Sequence, residues 1–406
     1  MPALRLLAFA AVLLAPVSLA VANPTGRPGN DLPVATDARL EVQGELVRLT
    51  MALSRPVTAS ASVMAGPDRV IVDLPSINFQ VEQKQGRKSA GFVSGFRYGL
   101  FMADRARIIL DLAQPAAVAN VSVKPVRGGF AELIVELKRT SREEFAALAR
   151  EAVTKAQLPS IPVESKAEGD SRRIVVIDPG HGGIDPGTQV AAIAEKAVVL
   201  AFGLKLKEQL EAQGRYRVIM TRSDDTFISL NDRVRIARGV EANLFISIHA
   251  DSLAQAQDVR GATVYTGSER ASDAEAARLA AKENQADAVA GLESSEDVHD
   301  VAGILMDLAK RETRSFSTIF ARNLVERLGG SVKMHKVPLR SAGFRVLTAP
   351  DVPSVLIELG YMSSPKDAEL LNSEGWRTQA ATAVQQAVDQ YFERLQSPGK
   401  AAQSKP

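Results

Sequence analysis

Beyond residue 173, short β-branched runs alternate with longer helix-like segments, and this alternation constrains the chain more than any other feature. The strand-like runs fall at 174–177, 216–221, 244–248, 262–266 and 354–358; the helix-like ones fall at 196–213, 230–240, 313–328 and 375–395. Runs such as Ile174-Val-Val-Ile177 and Leu244-Phe-Ile-Ser-Ile248 are almost continuously apolar, the pattern of strands buried on both faces. The expected fold is an α/β domain, a mostly parallel twisted sheet with helices on both faces. In open sheets of this kind, ligands bind outside the carboxyl ends of the strands.

Those ends carry ionisable residues. His181 stands in Asp178-Pro-Gly-His181-Gly-Gly183, directly after the first run. Alone, a histidine there reads more readily as structural than as a ligand. His249 follows the third run, and Glu358 closes Ser354-Val-Leu-Ile-Glu358, an apolar strand in which a lone buried carboxylate is costly. Glu195 opens a helix, where the dipole by itself also accounts for an acid. The chain has no cysteine, so a metal site must use His, Asp or Glu. Two neutral imidazoles and a carboxylate, with a fourth position open, form a recurring catalytic zinc set; here they are His181, Glu195 and His249. A carboxylate that is not a ligand moves the proton in such sites, and Glu358 is the candidate. A serine scheme is a poorer account, for there is no Gly-x-Ser-x-Gly elbow. These residue types leave the scissile bond open: a zinc peptidase uses the same ones.

The other segments set the context. Arg5, the apolar run 6–14, Pro16 and Ala20-Val-Ala22 have the pattern of a signal peptide, so residues 1–22 are expected to be removed on export. No integral membrane span is expected after processing. With 406 residues and a formal charge of +2, the chain has room for two domains and lacks the basic footprint of a nucleic-acid binder. Residues 37–139 alternate with a period of two between turn residues, the pattern of an all-β sandwich. Within them Arg69-Val-Ile-Val-Asp73-Leu is echoed by Arg107-Ile-Ile-Leu-Asp111-Leu. This region has no histidine and reads as a binding module. Residues 140–172, helical at first and then polar with two prolines, are expected to be a linker, and 397–406 a disordered tail.

In order, Asp178-Pro-Gly-His-Gly-Gly183, Glu195, Thr221-Arg222-x-x-Asp225, Leu230-x-x-Arg233, Phe245-Ile-Ser-Ile-His-Ala250 and Val355-Leu-Ile-Glu358 resemble the zinc-dependent N-acetylmuramoyl-L-alanine amidases over residues 173–396. The first domain resembles the AMIN domain that precedes exported cell-wall amidases. The resemblance implies peptidoglycan as substrate and cleavage of the amide between N-acetylmuramic acid and L-alanine. It implies one Zn²⁺ on His181, Glu195 and His249, with Glu358 as acid/base. Arg222, Asp225 and Arg233 are expected to be scaffolding. A non-catalytic cell-wall regulator is the alternative of a different class, against which the intact ligand set speaks.

Residues 268–312 are too long for an ordinary connection. Residues 271–290 are alanine-rich and helical; an acidic patch (Glu293, Glu296, Asp297) and a second helix through Val301, Ile304 and Leu308 follow. The septal, AmiC-type periplasmic amidases are similar in having a helical insert here, which blocks the cleft until a periplasmic activator of the LytM/EnvC type displaces it. By that resemblance Glu283 is expected to occupy the open zinc position, in preference to Glu275 or Glu293. His335, read as loop-borne ahead of Pro338, is a candidate for the substrate groove.

Overall fold

The computed structural model describes residues 32–102, 104–155, 170–191, 193–252, 259–292 and 304–396. The expected signal peptide, the second half of the linker, the acidic patch and the tail lie outside the described residues. None of the described helices is long and apolar enough to cross a membrane.

The first domain is a two-sheet sandwich. Its strands are β1 (Val34–Gln43), β2 (Leu46–Leu53), β3 (Ser60–Met64), β4 (Arg69–Pro75), β5 (Asn78–Phe79), β6 (Val93–Met102), β7 (Arg105–Leu112), β8 (Ala116–Pro125) and β9 (Ala131–Arg139). One sheet runs β5-β1-β2-β9-β8 and the other β3-β4-β7-β6. Alternate residues of both, among them Leu49, Met51, Val70, Val72, Ile108, Leu110, Leu133 and Val135, fill the space between the sheets. Short helix α1 (Gln83–Gly86) precedes β6, and α2 (Arg142–Lys155) follows β9. Phe145 and Ala149 of α2 are buried in the sandwich core, so this part of the expected linker is packed on the first domain. Burial of a phenylalanine contributes about 2–3 kcal/mol, which holds the helix down.

The second domain contains β10 (Arg173–Pro179), β11 (Gln189–Val190), β12 (Ile193–Ala194), α3 (Glu195–Glu211), β13 (Tyr216–Met220), α4 (Leu230–Gly239), β14 (Leu244–His249) and β15 (Ala262–Gly267). Then come α5 (Ala274–Glu283), α6 (Ala286–Val289), α7 (Ile304–Gly329), β16 (Met334–Ala342), β17 (Ser354–Glu358), α8 (Pro365–Leu371) and α9 (Glu374–Gln396). The sheet order is β13-β10-β14-β17-β15-β16. β13, β10, β14 and β17 are mutually parallel, while β15 runs antiparallel to β17 and takes β16 as a parallel neighbour. Val175 and Ile177 face a core shared with α3, α7 and α9; Ile174 and Val176 face the opposite core with α4 and α5. This two-sided burial is the reason the strands read as continuous apolar runs.

Two readings of the sequence change here. The second helix of the insert and the helix expected at 313–328 are one, α7, which begins at Ile304. His335 lies in a strand, β16, where Pro338 and flanking cations mask the pattern. The chain leaves β10 for β13 on one side and reaches β14 on the other, so the crevice at their carboxyl ends is the topological switch point.

Candidate metal centre

The turn after β10 is braced from below. Asp178 is fully buried and accepts from Thr221 Oγ1 at 2.6 Å, Ser247 Oγ at 2.7 Å and Arg233 Nη1 at 2.6 Å. Burial by itself would raise its pKa, but Arg233 and the two hydroxyls override this and hold it below the ordinary value. Arg233 also donates to the carbonyls of Ile228, Pro179 and His181 at 3.0, 2.9 and 2.8 Å. Arg222 donates to those of Pro179 and Gly180 at 3.0 and 2.8 Å. Asp225 accepts from Gly183 N and Lys196 Nζ at 2.8 and 2.7 Å. Every carbonyl from 179 to 181 thus has a guanidinium on it, which fixes His181 in a left-handed backbone conformation (φ 58°).

His181 meets His249 edge to face, ring centroids 4.9 Å apart. Their approach requires the glycine before His181: a Cβ on Gly180 would lie 2.5 Å from the His249 ring. Glu195 Oε1 stands 3.2 Å from His181 Nε2 and 3.3 Å from His249 Nδ1. From the other side Glu283 Oε2, the last residue of α5, lies 3.5 and 3.2 Å from the same nitrogens. Ligand atoms of His181, His249 and Glu283 all lie within 4.8 Å of one another. All four residues are buried, with Glu195 wholly inaccessible.

The donor set fits a divalent metal. His181 Nε2 and His249 Nδ1 are buried and without a hydrogen-bond partner among the described residues, which is costly unless an ion takes their lone pairs. His181 Nδ1 is 2.9 Å from Asp185 Oδ2, the carboxylate contact that fixes the imidazole tautomer of a metal ligand. Glu195 accepts from Ala250 N and Thr188 N, both at 2.9 Å, which orients its carboxylate. Burial opposes ionisation of Glu195, yet the two imidazoles hold its pKa well below the usual range. For His181 burial favours the neutral ring, but the carboxylates Glu195, Asp185 and Glu283 push its pKa well up. His181, His249 and Glu283, with Glu195 against both imidazoles, form a group that could hold a metal cation.

Glu358 is adjacent. Parallel pairing of β14 with β17 puts it directly opposite His249. Its Oε2 accepts from Asp251 N at 3.0 Å, and its buried Oε1 has no partner among the described residues. Burial first, and then Asp251 and Glu195, push its pKa well above that of an ordinary glutamate. It is therefore a carboxylate whose affinity for a proton is raised by burial, on the strand beside His249 and outside the cluster itself.

Two further residues, Asp185 and Asp251, carry no clear signal in the sequence. Asp185 is legible only as an acid four residues after His181. Asp251 accepts from Thr188 Oγ1 at 2.6 Å and pairs with Lys282 of α5. Glu275 is not at the cluster; it pairs with Arg340 at 2.7 Å and anchors the other end of α5. His335 is not brought to the cluster either. It is only 4% exposed, with Nδ1 3.1 Å from the backbone of Val337 and its ring packed on Tyr361, so it lines no open groove in this structure. Glu293 lies outside the described residues. A cavity lined by His181, His249 and Glu283 measures about 10 Å³, room for one water and far less than a substrate amide needs.

Comparison with known proteins converges on one family. Residues 175–390 match the N-acetylmuramoyl-L-alanine amidase family, and residues 37–140 match the AMIN domain. The chain is similar to the N-acetylmuramoyl-L-alanine amidase AmiC of Neisseria meningitidis serogroup B, 31% identical over 93% of this chain and 94% of that protein. It is also similar to AmiC of Escherichia coli O6:H1, 30% identical over 85% and 86% of the respective lengths. AmiA of Escherichia coli K12 is 37% identical over 61% of this chain and 85% of its own. Among solved structures, AmiC2 of Nostoc punctiforme is 27% identical over 56% of this chain and 100% of that one, with a TM-score of 0.41.

Proposed function

The chain belongs to the N-acetylmuramoyl-L-alanine amidase family and carries an AMIN domain ahead of the catalytic one; from that premise we propose that it is a zinc enzyme held shut by its own helix α5. It is an amidase of peptidoglycan, acting on the bond between N-acetylmuramic acid and the L-alanine of the stem peptide. His181, Glu195 and His249 hold the zinc. The observation that carries this reading is the pair of buried imidazole nitrogens, without a hydrogen-bond partner among the described residues, that face the buried Glu195 carboxylate at 3.2 and 3.3 Å. When bound, zinc supplies Lewis acidity, polarising the carbonyl and bringing the pKa of a water down to about 7.

The chain's own residues do the rest. Glu358 takes a proton from the attacking water as its oxygen bonds to the lactyl carbonyl carbon. The C–N bond then breaks, and Glu358 returns the proton to the departing L-alanine nitrogen. Burial makes Glu358 a stronger base than a solvated carboxylate, which suits the first half of that exchange. Asp251 N holds one carboxylate oxygen and leaves the other free to work. Asp185 keeps His181 in the ligating tautomer.

Glu283 closes the site. It takes the position that a catalytic centre keeps open for water and substrate, and a fourth protein ligand converts an open site into a closed one. Supporting this are its 3.2 Å approach to His249, the Lys282–Asp251 ion pair beside it and the Arg340–Glu275 pair at the far end of α5. A periplasmic activator of the LytM/EnvC type lifts α5 away, and the enzyme serves wall remodelling and daughter-cell separation at the septum. Export by the signal peptide delivers it to the periplasm, and the AMIN domain targets it to the wall.

The test is digestion of purified sacculi by the zinc-loaded chain and by its Glu283→Ala variant, with fragments identified by mass spectrometry. The variant is expected to release free stem peptides beginning with L-alanine at least about tenfold faster than the parent, since a charge-assisted contact worth 1.5–3 kcal/mol is lost from the closed state. Equal rates would reject the blocked resting state. Cut cross-links in place of free stems would make the chain a peptidase.

A further inference from the structure

The echo between Arg69-Val-Ile-Val-Asp73 and Arg107-Ile-Ile-Leu-Asp111 plays no part in the amide chemistry. Antiparallel pairing of β4 with β7 gives it meaning. Arg69 falls opposite Asp111, and Asp73 opposite Arg107, so each arginine meets the other repeat's aspartate. Arg69 Nε reaches Asp111 at 3.0 Å and Arg107 Nε reaches Asp73 at 2.7 Å; Arg97 of β6 also pairs with Asp111. Between the pairs stand Ile71 and Ile109. In each strand every second residue points into the sandwich; these five-residue repeats put Arg, Ile and Asp on the other face. That face should look onto solvent, yet Arg69 and Arg107 are only 8% and 7% exposed, and Ile109 is fully buried.

What covers it is the segment just beyond Glu283. Arg69 Nη1 donates to the carbonyl of Ala288. Arg97 donates to that of Val289 from Nε at 3.2 Å and Nη2 at 2.8 Å, and Arg107 to those of Ala290 and Gly291 at 3.0 and 3.3 Å. Consecutive carbonyls of one short segment are thus each taken by a guanidinium of the sandwich. Ala290 is fully buried against Ile71, Ile109 and Phe101, and a Cβ on Gly291 (φ 73°) would lie 2.5 Å from Ile71 Cδ1. The next strand of the same sheet reaches the other side of the metal centre: Ile184 N donates to Leu100 O at 3.0 Å, with Gly99 backed on Gly183.

We propose that the outer face of the four-stranded sheet is a binding site for this chain's own peptide 288–292, so that the first domain directly holds α5 and Glu283 in the closed position. The ligand class is a backbone segment that presents consecutive carbonyls, read by three arginines and an apolar pair. This rests on the reading that Glu283 blocks the site. It gives the sandwich a second task beside wall targeting, and it means that α5 opens only when these bonds are exchanged for others.

The test uses the full chain with Arg97→Gln and Arg107→Gln together, and separately with Gly291→Val, which attacks the same contact from the insert. Asp73 and Asp111 keep side-chain exposures of 37% and 35%, so water replaces the lost cations. Amide hydrogen exchange over 274–292 and stem-peptide release from sacculi are read for each variant, with and without Glu283→Ala. Both variants are expected to lose exchange protection by at least about tenfold, as for one charge-assisted bond. They should also raise hydrolysis toward the Glu283→Ala rate and add less than about twofold in that background, because the two act through one equilibrium. Unchanged protection in both variants overturns the proposal. So does lost protection without a gain in hydrolysis when Glu283→Ala does give one. If Glu283→Ala itself leaves hydrolysis unchanged, the blocking reading fails, while exchange still decides whether the face binds the segment.

Discussion

Arg233→Met tests the brace beneath the metal centre. Arg233 is 2% exposed and Asp178 wholly buried, so removing the guanidinium leaves an aspartate with two hydroxyl donors and no cation. Breaking a buried pair from one side costs about 3–5 kcal/mol. The carbonyls of Pro179, His181 and Ile228 lose a donor as well, which places the change toward the upper end. For a domain of this size that is a fall in Tm of roughly 6–20 °C. The single tryptophan, Trp376, lies in α9 against the core of the second domain, so its fluorescence reports unfolding of that domain alone. The pH dependence carries a sign. In the parent, Asp178 is depressed; its contribution is full above the unfolded value of about 3.9 and is lost as pH falls through the folded one. In the variant only burial and the hydroxyls remain, the folded pKa rises, and the penalty fades as acid protonates the group. The gap between parent and variant should therefore be widest near pH 7 and narrow toward about pH 4. Adding Asp178→Asn should recover most of the loss. A deficit under about 1 kcal/mol, or a double variant no better than the single one, would refute the reasoning.

Other consequences are simpler to read. Gly180→Ala, whose methyl would lie 2.5 Å from the His249 ring, should fold but lose its zinc; one metal per purified chain would count against it. Asp185→Asn should weaken zinc by about 10–100-fold in competition with a chromophoric chelator, since the carboxylate no longer fixes the His181 tautomer. In a Glu283→Ala background, Glu358→Gln should slow hydrolysis by about 10²–10⁴-fold with zinc content unchanged. If the metal leaves with it, Glu358 is a ligand instead. Chelation of the same background should abolish hydrolysis, and added zinc should restore it.

The sheet and its cluster were legible because burial leaves a trace in the sequence. An apolar strand that ends in His249 or Glu358 has to explain its polar residue, and β14 and β17 run parallel and adjacent, so their ends coincide. β16 was not legible, since its edge position tolerates the cations and proline that hide a strand. Asp185 leaves no such trace, because an acid near a glycine turn is ordinary until the turn folds back on His181. Glu195 was ambiguous for the opposite reason, as the helix start explained it equally well.

By itself, then, the chain's order of residues determined which elements form and which strand ends bear chemistry, for these follow from local pattern and burial. Which carboxylate meets the imidazoles from outside was decided only by the tertiary structure. The resemblance favours Glu283, but no local pattern separates it from Glu275 on the same helix; the turn of α5 points one at Arg340 and the other at His249. The repeated Arg-x-x-x-Asp was visible from the start. Its partner was not, because the carbonyls it holds lie some two hundred residues away and carry no side-chain signature.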